Sequence, residues 1–261
     1  MNKHGDFIWY ELVTNDTATA EAFYGNVVGW RFSGFGDGTD YRLFSAGEAT
    51  VGGLLALNDK MRDDGARPGW LGYIAVDDVD ASVARVEGAG GTVHMPAEDI
   101  EGVGRMALVA DPQGVPFYVM RGASDERSDS FAYDRPRVGH CAWNELATTD
   151  SAAAWRFYGD VFGWTKDGAL EMGPLGQYEF IRHDEMIGAI MPKLPEMPMS
   201  AWTYYFRVPD IDAAVGRVEA GGGQVLQPPM EIPGGDYSMS GLDPQGVVFA
   251  LVGARVAGGQ A

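Results

Sequence analysis

The chain has 261 residues, 46% of them hydrophobic, which is enough for one large domain or two ordinary ones with buried cores. Nineteen Lys and Arg against 37 Asp and Glu give a formal charge of −18, which repels phosphate backbones and anionic lipid and argues against nucleic acid or membrane as a partner. No apolar run reaches the roughly 18 residues of a membrane span. The opening "MNKHGDFIWYEL" lacks a signal-peptide pattern. The single cysteine, Cys141, rules out an intrachain disulfide and any multi-thiolate metal site. A cytoplasmic location is therefore expected.

In chain order, "FIWYELV" alternates as a half-buried strand does. Asp16 or Thr17 can cap the next helix, where Ala20, Phe23, Tyr24 and Val27 recur at helical spacing before Gly29. "YRLFSAGEATVGGLLAL" reads as a hairpin turning near Gly47. "WLGYIAV" starts a second module, followed by a helix carrying Val79, Val83 and Val86 that stops at "GAGG". "GRMALVA", a turn at "DPQG" and the strand "VPFYVM" close it.

The order then repeats. "TNDTATAEAFYGNVVGW" from Thr14 matches "TTDSAAAWRFYGDVFGW" from Thr148, 134 residues on. "DVDASVARVEGAGGTV" from Asp78 matches "DIDAAVGRVEAGGGQV" from Asp210, and "DPQGV" recurs at Asp111 and Asp243, both 132 residues apart. This period far exceeds that of solenoid repeats, so a whole domain is duplicated. The expected organisation is a first domain over 1–122, a polar linker over 123–136 and a second domain over 137–255.

Two βαβββ modules per copy, a first helix ending in "FYGNVVGW" or "FYGDVFGW", and "DPQG" before the last strand resemble the vicinal oxygen chelate superfamily of glyoxalases, bleomycin-resistance proteins and extradiol dioxygenases. The likeness is strongest to tandem glyoxalase-like proteins of actinobacteria, of the type labelled hydroxylases. It implies an α+β fold whose paired modules curl their sheets into cups, with metal ligands on the inward strand faces in the metal-bearing relatives. Carried onto this sequence, those ligand positions fall on Trp9 and Trp143, near Leu71 and Thr203, and on Tyr118 and Ala250, while "VGGLLAL" and "IGAIMP" offer no carboxylate or imidazole. A divalent site needs several converging oxygen or imidazole donors, so no metal is expected. "GAGG" and "AGGG" follow helices as stops rather than forming a phosphate loop, so no nucleotide or other cofactor is expected either.

His140 precedes Trp143 by three positions and so points away from the cup in a regular strand, as a partly exposed or hydrogen-bonded strand-end residue. His4, His94 and His183 read as surface or loop residues. Glu11 and Glu145 lie two positions beyond Trp9 and Trp143, share their face, and are the candidate acids or bases; the alternative is a structural carboxylate held by neighbours. Trp9, Tyr73 and Tyr118 of copy one, and Trp143 and Tyr205 of copy two, are candidate stacking surfaces for a planar ligand, or plain cup filling. Arg105 and Tyr237 fall in the stretch where the copies diverge, with Arg105 set against Asp236 and Met106 against Tyr237.

The expected function is metal-free binding or sequestration of a small hydrophobic or aromatic metabolite or antibiotic by a monomer or homodimer. The alternative is a cofactor-free enzyme of secondary metabolism, such as an isomerase, cyclase or hydroxylase-like protein using a cup-facing glutamate. A metal-dependent lyase or dioxygenase ranks third.

Overall fold

The computed structural model describes residues 1–36, 41–133 and 136–256. The first copy runs β1 (Phe7–Thr14), α1 (Thr17–Val27), β2 (Arg31–Gly34), β3 (Tyr41–Ala46) and β4 (Ala49–Ala56). A short helix not expected from the sequence, α2 (Asp59–Asp63), links these to β5 (Gly69–Ala75), α3 (Val79–Gly88), β6 (Thr92–Ile100), β7 (Gly104–Ala110) and β8 (Pro116–Gly122). The second copy repeats the order: β9 (Cys141–Thr148), α4 (Ser151–Phe162), β10 (Thr165–Glu171), β11 (Gln177–His183), β12 (Glu185–Pro192), β13 (Ala201–Val208), α5 (Ile211–Ala220), β14 (Gln224–Glu231), β15 (Tyr237–Leu242) and β16 (Val248–Gly253).

The four main helices start by one device. Asp16, Asp78, Asp150 and Asp210 each accept a backbone N–H of the first turn, so at the first helix Asp16, not Thr17, is the cap. Each copy forms one eight-stranded mixed sheet, in the orders β2-β3-β4-β1-β5-β8-β7-β6 and β10-β11-β12-β9-β13-β16-β15-β14. The parallel pairs β1/β4 and β9/β12, in the first module of each copy, come very close at one point. A Cβ on Gly188 would stand 1.9 Å from the carbonyl oxygen of its register partner Asn144, and one on Gly52 would stand 2.4 Å from that of Tyr10. Glycine is therefore required at the same place in both copies.

Packing divides the chain into two compact units, and neither is one copy. One unit comprises 1–9, 71–128 and 143–203; the other comprises 10–70, 129–142 and 204–261. Within the first, Tyr158 of the "FYG" motif donates to Asp111 of the first "DPQG" turn at 3.1 Å, and Trp202 donates to the Tyr158 hydroxyl at 3.0 Å. Phe117 of β8 packs edgewise or tilted on Phe157, Tyr158 and Phe162 of α4. The second unit has the mirror contact: Tyr24 of α1 donates to Asp243 at 3.1 Å, and Phe23 and Tyr24 meet Phe249 of β16. The two motifs that mark each copy thus bind across copies. Burial raises the pKa of Asp111 against the N–H donors of Val115 and Gln113 and the Tyr158 hydroxyl, and burial together with Asp243 raises that of Tyr24.

The polar segment 123–136, of which 134–135 lie outside the described residues, is tied down rather than loose. The Ser128 hydroxyl donates to the Ile8 carbonyl at 2.6 Å, Ser130 accepts from the Cys141 N–H at 3.0 Å, and Ser130 and Ala132 are buried.

Candidate functional site: the sheet faces opposite the helices

Residues paired in register share a face, and the aromatic contacts above fix which face the helices cover. In the second module of copy one, Phe117 and its paired residue Val109 lie under α4. The opposite face therefore carries two rows across β5, β8 and β7: Tyr73, Tyr118 and Leu108, then Ala75, Met120 and Met106. Tyr73 and Tyr118 stack at 4.3 Å with rings 20° apart and are 4% and 8% exposed. Ile8, Ala75 and Met106 complete this cluster, with Trp9, Leu71, Met95, Leu108 and Met120 packed against it. Of the candidate residues, Trp9, Tyr73 and Tyr118 are thus brought together in one apolar mass.

The first module of copy two is different in kind. Trp143 donates its indole N–H to the Tyr178 hydroxyl at 2.7 Å, and that hydroxyl donates to Glu145 Oε2, also at 2.7 Å. All three are half-buried, and Phe180 stands edge-on to both Trp143 and Tyr178. A hydrogen bond to an ionised carboxylate is among the stronger ones, so the chain fixes the Glu145 carboxylate at the end of an aromatic wall. Sequence reasoning missed Tyr178; its signal was the alignment of "QYEF" with "DYRL" of copy one, which puts Tyr178 on Tyr41. In copy one Glu11 is 2% exposed and pairs in register with Gly53, where a Cβ would stand 1.9 Å from the Tyr41 hydroxyl oxygen. Glu145 is the more accessible of the two candidate glutamates.

In the second module of copy two, Phe206 and Phe249 belong to the helix side, with Phe206 against Tyr10, Trp30 and Trp70 and Phe249 against α1. The opposite face carries Tyr205, Ala250 and Ser240 in one row and Arg207, Val252 and Ser238 in the next. Arg207 Nη1 donates to Asp236 at 2.8 Å.

Two of the candidate residues need correction. Arg105 and Tyr237 are not on these faces. Arg105 is paired with Asp80 of α3 and with Asp99 of β6, and Tyr237 lies under the Arg255 guanidinium, itself held by Asp212 of α5. The register Arg105↔Arg121 and Tyr237↔Gly253 makes Arg105 and Tyr237 each other's equivalents, one residue away from the alignment read in sequence. One residue in a strand exchanges its faces. His140 is 2% exposed and hydrogen-bonded through Nδ1 to the Asp129 carbonyl; burial, and secondarily Arg137, lowers its pKa. His4 and His183 are also partly buried, His4 bonded to the Val161 carbonyl and His183 facing Asp6.

The donors at the positions that hold metal in related folds do not fit a divalent ion. In copy one Trp9, Leu71 and Tyr118 belong to a single apolar cluster, and in copy two the places hold an indole, a hydroxyl and a methyl group. Among the described residues no three His, Cys, Asp or Glu side chains are grouped to hold a metal.

Two βαβββ modules in each of two copies, each copy a single curved mixed sheet, define a tandem glyoxalase-fold protein. The chain belongs to the Glyoxalase/Bleomycin resistance protein/Dioxygenase superfamily, whose model matches residues 7–119 and 137–251. It is 34% identical to a protein of Mycobacterium tuberculosis named "Putative glyoxylase CFP32" over 94% of this chain and 93% of that one. It is 30% identical to the anthracycline biosynthesis protein DauV of Streptomyces sp. strain C5 over 95% and 93%. Among solved structures it matches a Mn(II)-bound glyoxalase from Novosphingobium aromaticivorans with a TM-score of 0.62 at 20% identity, over 96% of this chain and 81% of that one. It also matches 2,2',3-trihydroxybiphenyl 1,2-dioxygenase from Sphingomonas wittichii, with a TM-score of 0.66 at 18% identity over 98% and 92%.

Proposed function

We propose that the protein binds a small hydrophobic or aromatic organic molecule on the helix-free sheet faces, without a protein-held divalent ion. The observation that carries this reading is the Trp143–Tyr178–Glu145 chain, a half-buried aromatic wall ending in an oriented hydrogen-bond acceptor. Flat aromatic area with a few placed polar groups is the usual make-up of a small-molecule site. The 30% identity to anthracycline biosynthesis proteins supports a polycyclic aromatic ligand. A cytoplasmic location suits the single, buried cysteine.

A second reading, a cofactor-free enzyme with Glu145 as general base, is favoured by the Tyr178 hydroxyl that holds this carboxylate in place. A thermal-shift screen with hydroxylated and unhydroxylated polycyclic aromatics tests the first, because a ligand of the native state raises stability by mass action. Hydroxylated members are expected to raise the melting temperature, and a panel without effect would overturn the proposal. Glu11→Gln and Glu145→Gln separate binder from catalyst: a catalyst loses turnover and keeps affinity. Stoichiometric metal in protein purified without added ions would restore a metal-dependent lyase or dioxygenase.

A further inference from the structure

The two copies differ on equivalent faces of their second modules. In copy one the row Tyr73, Tyr118, Leu108 and the row Ala75, Met120, Met106 fill the face with large side chains, and Tyr118 covers Tyr73. In copy two the same rows read Tyr205, Ala250, Ser240 and Arg207, Val252, Ser238. The stacked tyrosine has become alanine, two large aliphatic residues have become serines, and an alanine has become arginine. Tyr205, Ser238 and Ser240 are all partly exposed, while Tyr73 and Met106 are buried.

Arg207 has a further mark of a binding group. Its side chain is 15% exposed and faces Asp236 with 30%, yet its Nε is buried without a hydrogen-bond partner among the described residues. A buried donor left without an acceptor is costly, so an oxygen acceptor entering beside this guanidinium is worth more there than in water. The Arg207–Asp236 pair is neutral as a unit and the whole chain carries −18, so both disfavour an anion and favour an uncharged acceptor.

We propose that the helix-free face of β13, β16 and β15 takes a planar, uncharged aromatic ketone or quinone, its ring against Tyr205 and a carbonyl oxygen on the Arg207 guanidinium, while the equivalent face of copy one is closed by its own side chains. This rests on the reading of the protein as an aromatic-ligand binder and narrows it to one copy and one functional group.

The test is fluorescence titration of the full chain with 2-(hydroxymethyl)anthraquinone and 2-(hydroxymethyl)anthracene, which share a tricyclic plane and differ in the two carbonyls. The quinone is expected to bind about tenfold more tightly, the size of one hydrogen bond to a charged donor. Ser238→Met with Ser240→Leu, which installs the residues of copy one at two partly exposed positions, should weaken quinone binding at least about tenfold. Joint Arg207→Met and Asp236→Asn, which leaves no unpaired charge, should erase the difference between the probes. Leu108→Ser in copy one should change neither affinity. Equal binding of the two probes to the unaltered protein, or a response to Leu108→Ser in place of the copy-two variants, overturns the inference. If other aromatics stabilise the protein and neither probe binds, this inference fails alone; if no aromatic of the wider panel binds, both proposals fall.

Discussion

At the scale of single residues, the contrast between Glu11 and Glu145 shows how a repeated sequence position acquires two environments. Both follow a tryptophan by two places, and that spacing was legible in the sequence. The hydroxyl that orients Glu145 was not, because Tyr178 comes from another strand. A double-mutant cycle of Tyr178→Phe and Glu145→Gln, read by chemical denaturation, should give a coupling of about 0.5–2 kcal/mol, and additive effects would dismiss the bond. His140 offers a pH signature. Its folded pKa lies below the ordinary value of 6.5 because burial disfavours the cation. Above that value the ring is neutral in both states and costs nothing; as pH falls below it, the unfolded chain takes up a proton that the folded one resists, and stability is lost. Denaturation curves at pH 7.5 and 5.5 should therefore show a smaller loss of stability in His140→Gln than in the unaltered protein, and equal losses would remove His140 as a cause.

At the scale of elements, the modules, their aspartate caps and the Gly47 turn follow from local rules that need no tertiary partner. Faces are less forgiving. Between "MPAEDIEGVGRMAL" and "QPPMEIPGGDYSMS" only the scattered pairs Pro96/Pro228, Ile100/Ile232 and Gly102/Gly234 are identical, too few to anchor the alignment by eye, and a slip of one residue sets Arg105 against Asp236. Holding the offset of 132 from the flanking "DPQGV" blocks would have matched it to Tyr237 and put both on the helix side. The glycines at 52 and 188 carry an element-scale requirement that sequence left open. Gly188→Ala forces a methyl group against the Asn144 carbonyl at the first register pair of β9 and β12, a backbone atom that cannot swing aside as a side chain would. It is expected to destabilise by about 1–3 kcal/mol, as overpacking does. Gly216→Ala, with nothing near the added carbon and in the interior of α5, should be neutral or stabilising by up to about 1 kcal/mol. Equal melting temperatures for the two variants would refute the close approach.

At the scale of the whole molecule, duplication was plain in the sequence, yet the way the copies divide the cores was not. A repeat says which segments are alike; it does not say whether Tyr24 meets the "DPQG" turn of its own copy or of the other. The contacts settle on the other: Tyr24 with Asp243, and Tyr158 with Asp111. Each compact unit thus takes a module from each copy, and cutting the chain between copies cuts both cores. A fragment of residues 1–128 keeps Phe117 and Asp111 while losing Phe157, Tyr158 and Phe162, and keeps Phe23 and Tyr24 while losing Phe249 and Asp243. Those faces are large and aromatic, and an exposed patch of that kind drives association. Because the two copies share the "FYG" and "DPQG" motifs, a second molecule of the fragment offers the groups that the missing copy supplied. The fragment is therefore expected to self-associate or aggregate and to have no folded monomeric form. Co-expression with 129–261 should yield a heterodimer that melts cooperatively. Light scattering on the eluted species, with circular dichroism melting, measures both. A 1–128 fragment that elutes as a monomer and melts cooperatively near the temperature of the full chain would show that the contacts between copies are dispensable to its core.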